Sequence, residues 1–225
     1  MELKENERLD DLQLNGLYII QNPKEYCFTS DAVLLANAVK MRKGQKVCDL
    51  GTGSGIIPIL ISAKNEGVQA VGVELQEYQV DMATRSVLYN GMQDRVKIIH
   101  GDIREGRKLL GSGVFDVVVS NPPYGVLGTG DMKESSGVAR SRYEITVNLE
   151  QIIRTASEIV KFGGKVYIIN KAERLAEMIC LMNKYKIEPK KITNIYRKEN
   201  FPADTVIVEG VLGGKSGVKV YSIKE

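Results

Sequence analysis

The feature that most restricts the fold of this chain is a succession of short, continuously apolar runs, each followed by a longer segment of helical period. KVCDL (46–50), QAVGVE (69–74), VKIIH (96–100), VFDVVVS (114–120) and KVYIIN (165–170) are such runs. A strand with one wet face alternates apolar and polar residues, whereas a run apolar throughout must be covered on both faces. Between the runs lie IIPILISAK (56–64), Gln76 to Tyr89, LEQIIRTASEIV (149–160) and Ala172 to Lys184, and AVLLANAV precedes them behind Asp31. The third of these helices is expected to stop at Phe162-Gly163-Gly164. Strands alternating with helices predict an α/β fold with a mostly parallel sheet and helices on both faces. ITNIYR (192–197) and DTVIVEGVL (204–212) follow each other without a helix. They predict an antiparallel hairpin at or beside the sheet edge, for seven strands in all.

At 225 residues the chain suits a single domain, 31–225, preceded by a flap or hairpin over 1–30 that carries the apolar patch Leu17–Ile20. The net charge of +3 is too mild to announce a nucleic-acid binder, but from Lys171 onward eleven Lys/Arg stand against seven Asp/Glu. That surplus, with Lys184, Lys186, Lys190 and Lys191, is either a solvated face or a contact to a polyanion. Cys27, Cys48 and Cys180 are odd in number and far apart, which offers neither a disulfide framework nor metal spacing. Their apolar neighbours predict buried thiols. MELKENERLDDLQ is charged from the start, with no apolar signal region, and no apolar run approaches the length of a membrane span. The expectation is a cytoplasmic protein, monomeric, without a metal.

In open α/β sheets ligands bind outside the carboxyl ends of the strands, where the strand order reverses. Asp49-Leu50-Gly51-Thr52-Gly53-Ser54-Gly55 lies at such an end and opens a helix. Glycines at 51, 53 and 55 let backbone pass close beneath a ligand, and the helix start favours an anionic group. Two familiar loops are excluded: Ile56-Ile57 replace the Lys-Ser/Thr of a phosphate loop and the last glycine of G-x-G-x-x-G. Glu74 ends the second strand, nineteen residues past Gly55, at the distance of a carboxylate that takes two ribose hydroxyls. Asp102 follows the third strand, placed to accept from an adenine amine with Ile103 packed on the ring. Each carboxylate alone fits a helix cap; together they outline an adenosine site.

The fourth strand runs into SNPPYG (120–125). Two prolines remove two donors and fix two φ angles, so the turn is either punctuation or a stiff grip that aims Asn121 and Tyr124 at a flat ligand. DLGTGSG, Glu74, Asp102 and NPPY together resemble the class I S-adenosylmethionine-dependent methyltransferases over roughly 28–170, a Rossmann-like fold. The Asn-Pro-Pro-Tyr tetrad marks those that act on the amino group of adenine or on a glutamine amide. FTSDAVLLA (28–36), SRYEI (141–145) and FPADTVIVEGVLGG (201–214) resemble the bacterial branch that methylates adenine beside the anticodon of a valine tRNA. Tyr143 stands where that branch would have histidine.

The resemblance implies S-adenosyl-L-methionine as cofactor. It would be held by Thr29, Asp31, Asp49, Gly51, Gly53, Gly55, Glu74, Leu75, Asp102, Ile103 and Asn121. Asn121, Pro122 and Tyr124 would be catalytic. Thr29, Ser30 and Asp31 serve equally as a plain helix cap. An amine conjugated into a purine is a poor nucleophile. The Asn121 side-chain oxygen and the Pro122 carbonyl can accept from it and localise its lone pair, while Tyr124 stacks on the base. Alignment of the reacting atoms can supply about 7–11 kcal/mol. Residues 125–147 form either a loose loop or a lid carrying Arg140 and Arg142 to the tRNA anticodon loop. Glutamine methylation of a release factor and methylation of ribosomal RNA are the rival activities. His100, the sole histidine, is expected to make a packing or loop contact.

Overall fold

The computed structural model describes residues 2–25, 27–122, 147–197 and 201–225. A hairpin, β1 (Arg8–Asp11) and β2 (Tyr18–Gln21), comes first. It is followed by α1 (Ser30–Ala38), β3 (Lys46–Leu50), α2 (Ile56–Lys64), β4 (Gln69–Glu74), α3 (Glu77–Tyr89) and β5 (Val96–His100). A 3-10 turn (Ile103–Glu105) leads into the short α4 (Gly106–Leu110) and then β6 (Phe115–Ser120). Beyond the undescribed residues come α5 (Leu149–Ile159), β7 (Val160–Lys171), a 3-10 turn (Ala172–Arg174), α6 (Leu175–Lys184), β8 (Ile187–Tyr196), β9 (Thr205–Leu212) and β10 (Lys219–Lys224).

The main sheet has the order β10-β8-β9-β7-β6-β3-β4-β5. Only β9 runs against its neighbours, β7 and β8. The sheet is therefore eight-stranded and mostly parallel, one strand more than expected. The added strand is β10, which pairs in parallel with β8. Its residues are exposed on both faces, so it leaves no burial pattern in the sequence. The expected hairpin is β8–β9, lying one strand in from the edge.

Burial explains the apolar runs. Val47, Cys48 and Leu50 of β3 and Val117, Val118 and Val119 of β6 are all at most 2% exposed. One core lies between the sheet and α1, α2, α3 and β2; a second lies between the sheet and α5 and α6. Helix α5 starts with a capping box in which Gln151 N–H donates to Asn148 Oδ1 and Asn148 N–H donates to Gln151 Oε1, worth about 1 kcal/mol.

The helix ends at Ile159, and Phe162-Gly163-Gly164 does not form the expected turn after it. These residues lie inside β7, where the register against β6 jumps from Phe115↔Val160 to Val117↔Lys165. Glycines mark a bulge as readily as a helix end. Only Cys48 is a buried thiol; Cys27 is partly exposed and Cys180 exposed. Cys180 sits two residues from Met178 and from Met182, both fully buried, and two residues along a helix is the opposite face.

The hairpin is fastened to α3. Tyr18 N–H donates to Asn90 Oδ1 (2.9 Å), Asn90 Nδ2 donates to Tyr18 O (2.7 Å), and Ile20 N–H donates to Ser86 Oγ (2.9 Å). Ile19 and Ile20 are fully buried there. Side chains of α3 thus supply hydrogen bonds that a third strand would otherwise make. Among the described residues no helix is long and apolar enough to cross a membrane.

Candidate active site

The strand order reverses between β3 and β6, and the suspected motifs meet at that point. Gly51, Gly53 and Gly55 have φ of +78°, +56° and +83°, a left-handed path that side chains resist. A Cβ on Gly55 would also come within 3.1 Å of Ala83 Cβ. Gly51 and Thr52 N–H both donate to Val73 O, which lashes the loop to β4. The buried Ser120 hydroxyl donates to Leu50 O at 2.8 Å. That bond fixes the end of β6 against the end of β3, so Asn121 faces the glycine loop. An open pocket of about 280 Å³ is lined by Phe28, Ala32, Gly51, Thr52, Gly53, Ser54, Ile56, Ile57 and Asn121.

Glu74 is 3% exposed and holds the loop directly. Its Oε2 accepts from Gly53 N–H, and its Oε1 accepts from Leu75 and Gln76 N–H, each at 2.9 Å. Burial raises its pKa against the pull of those three donors. Asp49, 1% exposed, has both oxygens buried without a hydrogen-bond partner, as do Thr52 Oγ1 and Ser54 Oγ. Buried polar atoms left unpaired are costly. A buried carboxylate beside them fits a polar ligand carrying positive charge, such as a sulfonium amino acid.

Burial pushes the Asp49 carboxyl up to about 7, with the Glu74 charge adding and the nearby Thr52 hydroxyl, short of hydrogen-bond geometry, opposing. A cation in the pocket favours the ionised form. Affinity for S-adenosylmethionine is therefore expected to rise with pH up to about 7 and to level off above, in calorimetric titrations. Asp49→Asn should flatten that profile. The sign for stability is opposite. The folded value lies above the ordinary 3.8, so this group's contribution is full below about 3.8 and is lost as pH rises through about 7. A wild-type profile as flat as that of the variant would show that Asp49 does not titrate there.

Other expected residues sit differently. Asp102 caps the 3-10 turn, accepting from Arg104 N–H, and both its oxygens also take the Arg104 guanidinium. That pairing holds its carboxyl below the usual range. Ile103 is 2% exposed within the core beside α5. Leu75 is half-buried, and its carbonyl meets His100 Nε2 at 2.9 Å, the loop contact expected of that histidine.

Thr29 precedes α1 without a side-chain cap bond, so the expected cap is not made there. Asp31, in the first turn, accepts from Arg197 Nη2 at 2.8 Å. Arg197 also donates to Asp204 (3.0 Å) and Glu225 (2.9 Å). Pro122 is buried and Asn121 half-buried. Pro123, Tyr124, Arg140, Arg142 and all of the 125–147 lid but Val147 lie outside the described residues. Phe28 joins the pocket wall without being among the expected residues, placed there by its N–H donating to Gln21 Oε1 (2.8 Å). Its sequence signals are an aromatic just before a helix start and its place at the head of FTSDAVLLA.

A glycine loop between β3 and α2, a carboxylate at the end of β4 and an Asn-Pro pair at the end of β6 define a Rossmann-like methyltransferase. The profile described as methyltransferase small domain matches residues 29–194, and the chain belongs to that family. A Porphyromonas gingivalis protein named tRNA1(Val) (adenine(37)-N6)-methyltransferase is 28% identical over 181 residues, 72% of this chain and 68% of that one. A Pedobacter heparinus relative of the same name is 25% identical, covering 80% of this chain and 74% of its own. Among solved structures, Agrobacterium tumefaciens Atu636, titled a predicted O-methyltransferase, superposes with a TM-score of 0.70 at 24% identity over 85% of each chain.

Proposed function

We propose that this protein transfers a methyl group from S-adenosylmethionine to the exocyclic amine of an adenine beside the anticodon of a tRNA. The observation that carries the proposal is the Ser120–Leu50 bond, which holds Asn121 and Pro122 against the glycine loop. When bound, the cofactor supplies an electrophilic methyl on a sulfonium. Gly51, Gly53 and Gly55 admit it closely, Glu74 holds the loop and meets the ribose, and Asp49 balances its positive charge. Thr29, Asp31 and Leu75 border it, with Asp102 and Ile103 at the adenine end.

Asn121 Oδ1 and the Pro122 carbonyl accept from the target amine and keep its lone pair on nitrogen, facing the methyl. An amine held in this way would need no protein base, because its proton becomes acidic once the nitrogen carries the methyl and can leave to water. Tyr124 stacks on the base, an interaction of about 1–3 kcal/mol. Arg140 and Arg142 approach the flanking phosphates. The base is presented by an anticodon loop, already single-stranded and cheap to unstack. The protein acts in the cytoplasm as a monomer, with 31–225 as the methyltransferase domain and 1–30 as its flap.

Labelled methyl from S-adenosylmethionine, offered separately to total tRNA, ribosomal RNA and release factors, should enter tRNA as N6-methyladenosine in nucleoside analysis. Label in a release-factor glutamine or in ribosomal RNA alone would overturn the assignment.

A further inference from the structure

Across the outer sheet the register places Val119, Tyr167, Glu209, Lys191 and Lys219 in one row. Lys191 and Lys219 are direct cross-strand partners on adjacent β8 and β10, where like charges repel. The one carboxylate of the row, Glu209, pairs at 2.7 Å with Lys165, and neither Lys191 nor Lys219 has an ion pair among the described residues. Lys190, at the bulge beside Lys191, is occupied with the Lys215 carbonyl at 2.9 Å. Tyr221, 47% exposed, carries the Lys191 ammonium 4.9 Å from its ring centroid. Val220 and Ile223 beside it are exposed as well.

An apolar edge strand invites another strand, but lysines on an edge discourage that. Two lysines on adjoining strands, one with its ammonium over a half-exposed aromatic ring, suit a phosphate chain with a base to stack. We infer that the β8–β10 face is a second RNA-contacting surface, binding the body of the substrate RNA away from the target base. β10 is four strands from β6, roughly 19 Å at about 4.8 Å per strand. One nucleotide cannot bridge that span, and a folded tRNA does. The inference rests on the tRNA substrate proposed above and adds where the remainder of that RNA lies.

The test compares wild type with Lys191→Gln/Lys219→Gln on full-length tRNA and on an isolated anticodon stem–loop. Removing mutual repulsion should leave the melting temperature unchanged or raised, so a folding failure is not the expected confounder. The Michaelis constant for tRNA should rise about tenfold, and its log–log salt slope should fall by about 0.7–0.9 for each phosphate no longer neutralised. Turnover at saturation, and both constants on the stem–loop, should stay as in wild type. An unchanged Michaelis constant and salt slope for tRNA overturns the surface while leaving the activity standing. Equal effects on tRNA and stem–loop overturn it too, because the lysines would then act near the target base. A wild-type dimer that the variant dissolves overturns it in favour of a second copy of this chain on the face. Absence of methyl transfer to tRNA by wild type overturns the substrate and this surface together.

Discussion

Asn121→Ala is expected to lower methyl transfer to tRNA by about 10²–10³-fold, on the scale of losing one preorganised hydrogen-bonding group at a reacting centre, and to leave cofactor affinity within about twofold. The side chain is half-buried and is aimed by two neighbours. Ser120 is bonded to Leu50, and Pro122 restricts the backbone of the residue before it. The backbone that carries the oxygen is therefore already positioned before the amine arrives, and the alanine variant loses an acceptor from that position. Asn121→Ser, shorter and still polar, should recover little. Single-turnover rates with saturating tRNA isolate the effect from binding. A rate near wild type for Asn121→Ala would remove the tetrad from the mechanism and leave the turn as a strand terminator.

The second large effect is expected at Glu74. Glu74→Gln keeps the size and one acceptor but sets an amide N–H₂ against a backbone donor, Gly53 or the Leu75–Gln76 pair. Cofactor binding should weaken by about 1.5–3 kcal/mol, the range for a hydrogen bond to a charged group, or roughly tenfold to 150-fold. Glu74→Ala should do worse in a distinct way. It strands three N–H groups, so the melting temperature should fall along with affinity. RNA binding without cofactor should barely move in either variant. Unchanged calorimetric affinity in Glu74→Gln would mean that the carboxylate only ties the loop and does not touch the ligand.

The glycine-loop half of the candidate site is legible in the sequence because it is local. Strand, glycine loop and helix run through Lys46–Lys64, and Glu74 closes the next strand. Each of those residues is interpretable from its neighbours and its place at a strand end. What the sequence hides is held by distant pairs. Arg197 reaches Asp31 across 166 positions, and Phe28 enters the pocket because of Gln21 in the preceding hairpin. No periodicity encodes either contact. Asp102 sits at a strand end beside the candidate site, and the arginine two residues on also takes its oxygens, a contact visible only once the turn has formed. The bulge at 161–164 and the edge strand β10 escape the sequence pattern for opposite reasons. Glycines signal two structures equally well, and a strand buried on neither face signals none.

The strand order has a consequence for how enzymes of this kind diversify. β3, β4 and β5, whose ends carry most of the residues proposed for the cofactor, lie on one side of the reversal, and β6, β7 and the outer strands lie on the other. The two halves meet chiefly along β3 and β6, and the Ser120–Leu50 bond fixes their spacing at the reacting end through a backbone carbonyl. A lineage can therefore exchange the surface beyond β6 for one that grips a different RNA, or a protein, without retuning the pocket beyond β3. Inheritance of the donor and invention of the acceptor are separable along a single seam in the sheet.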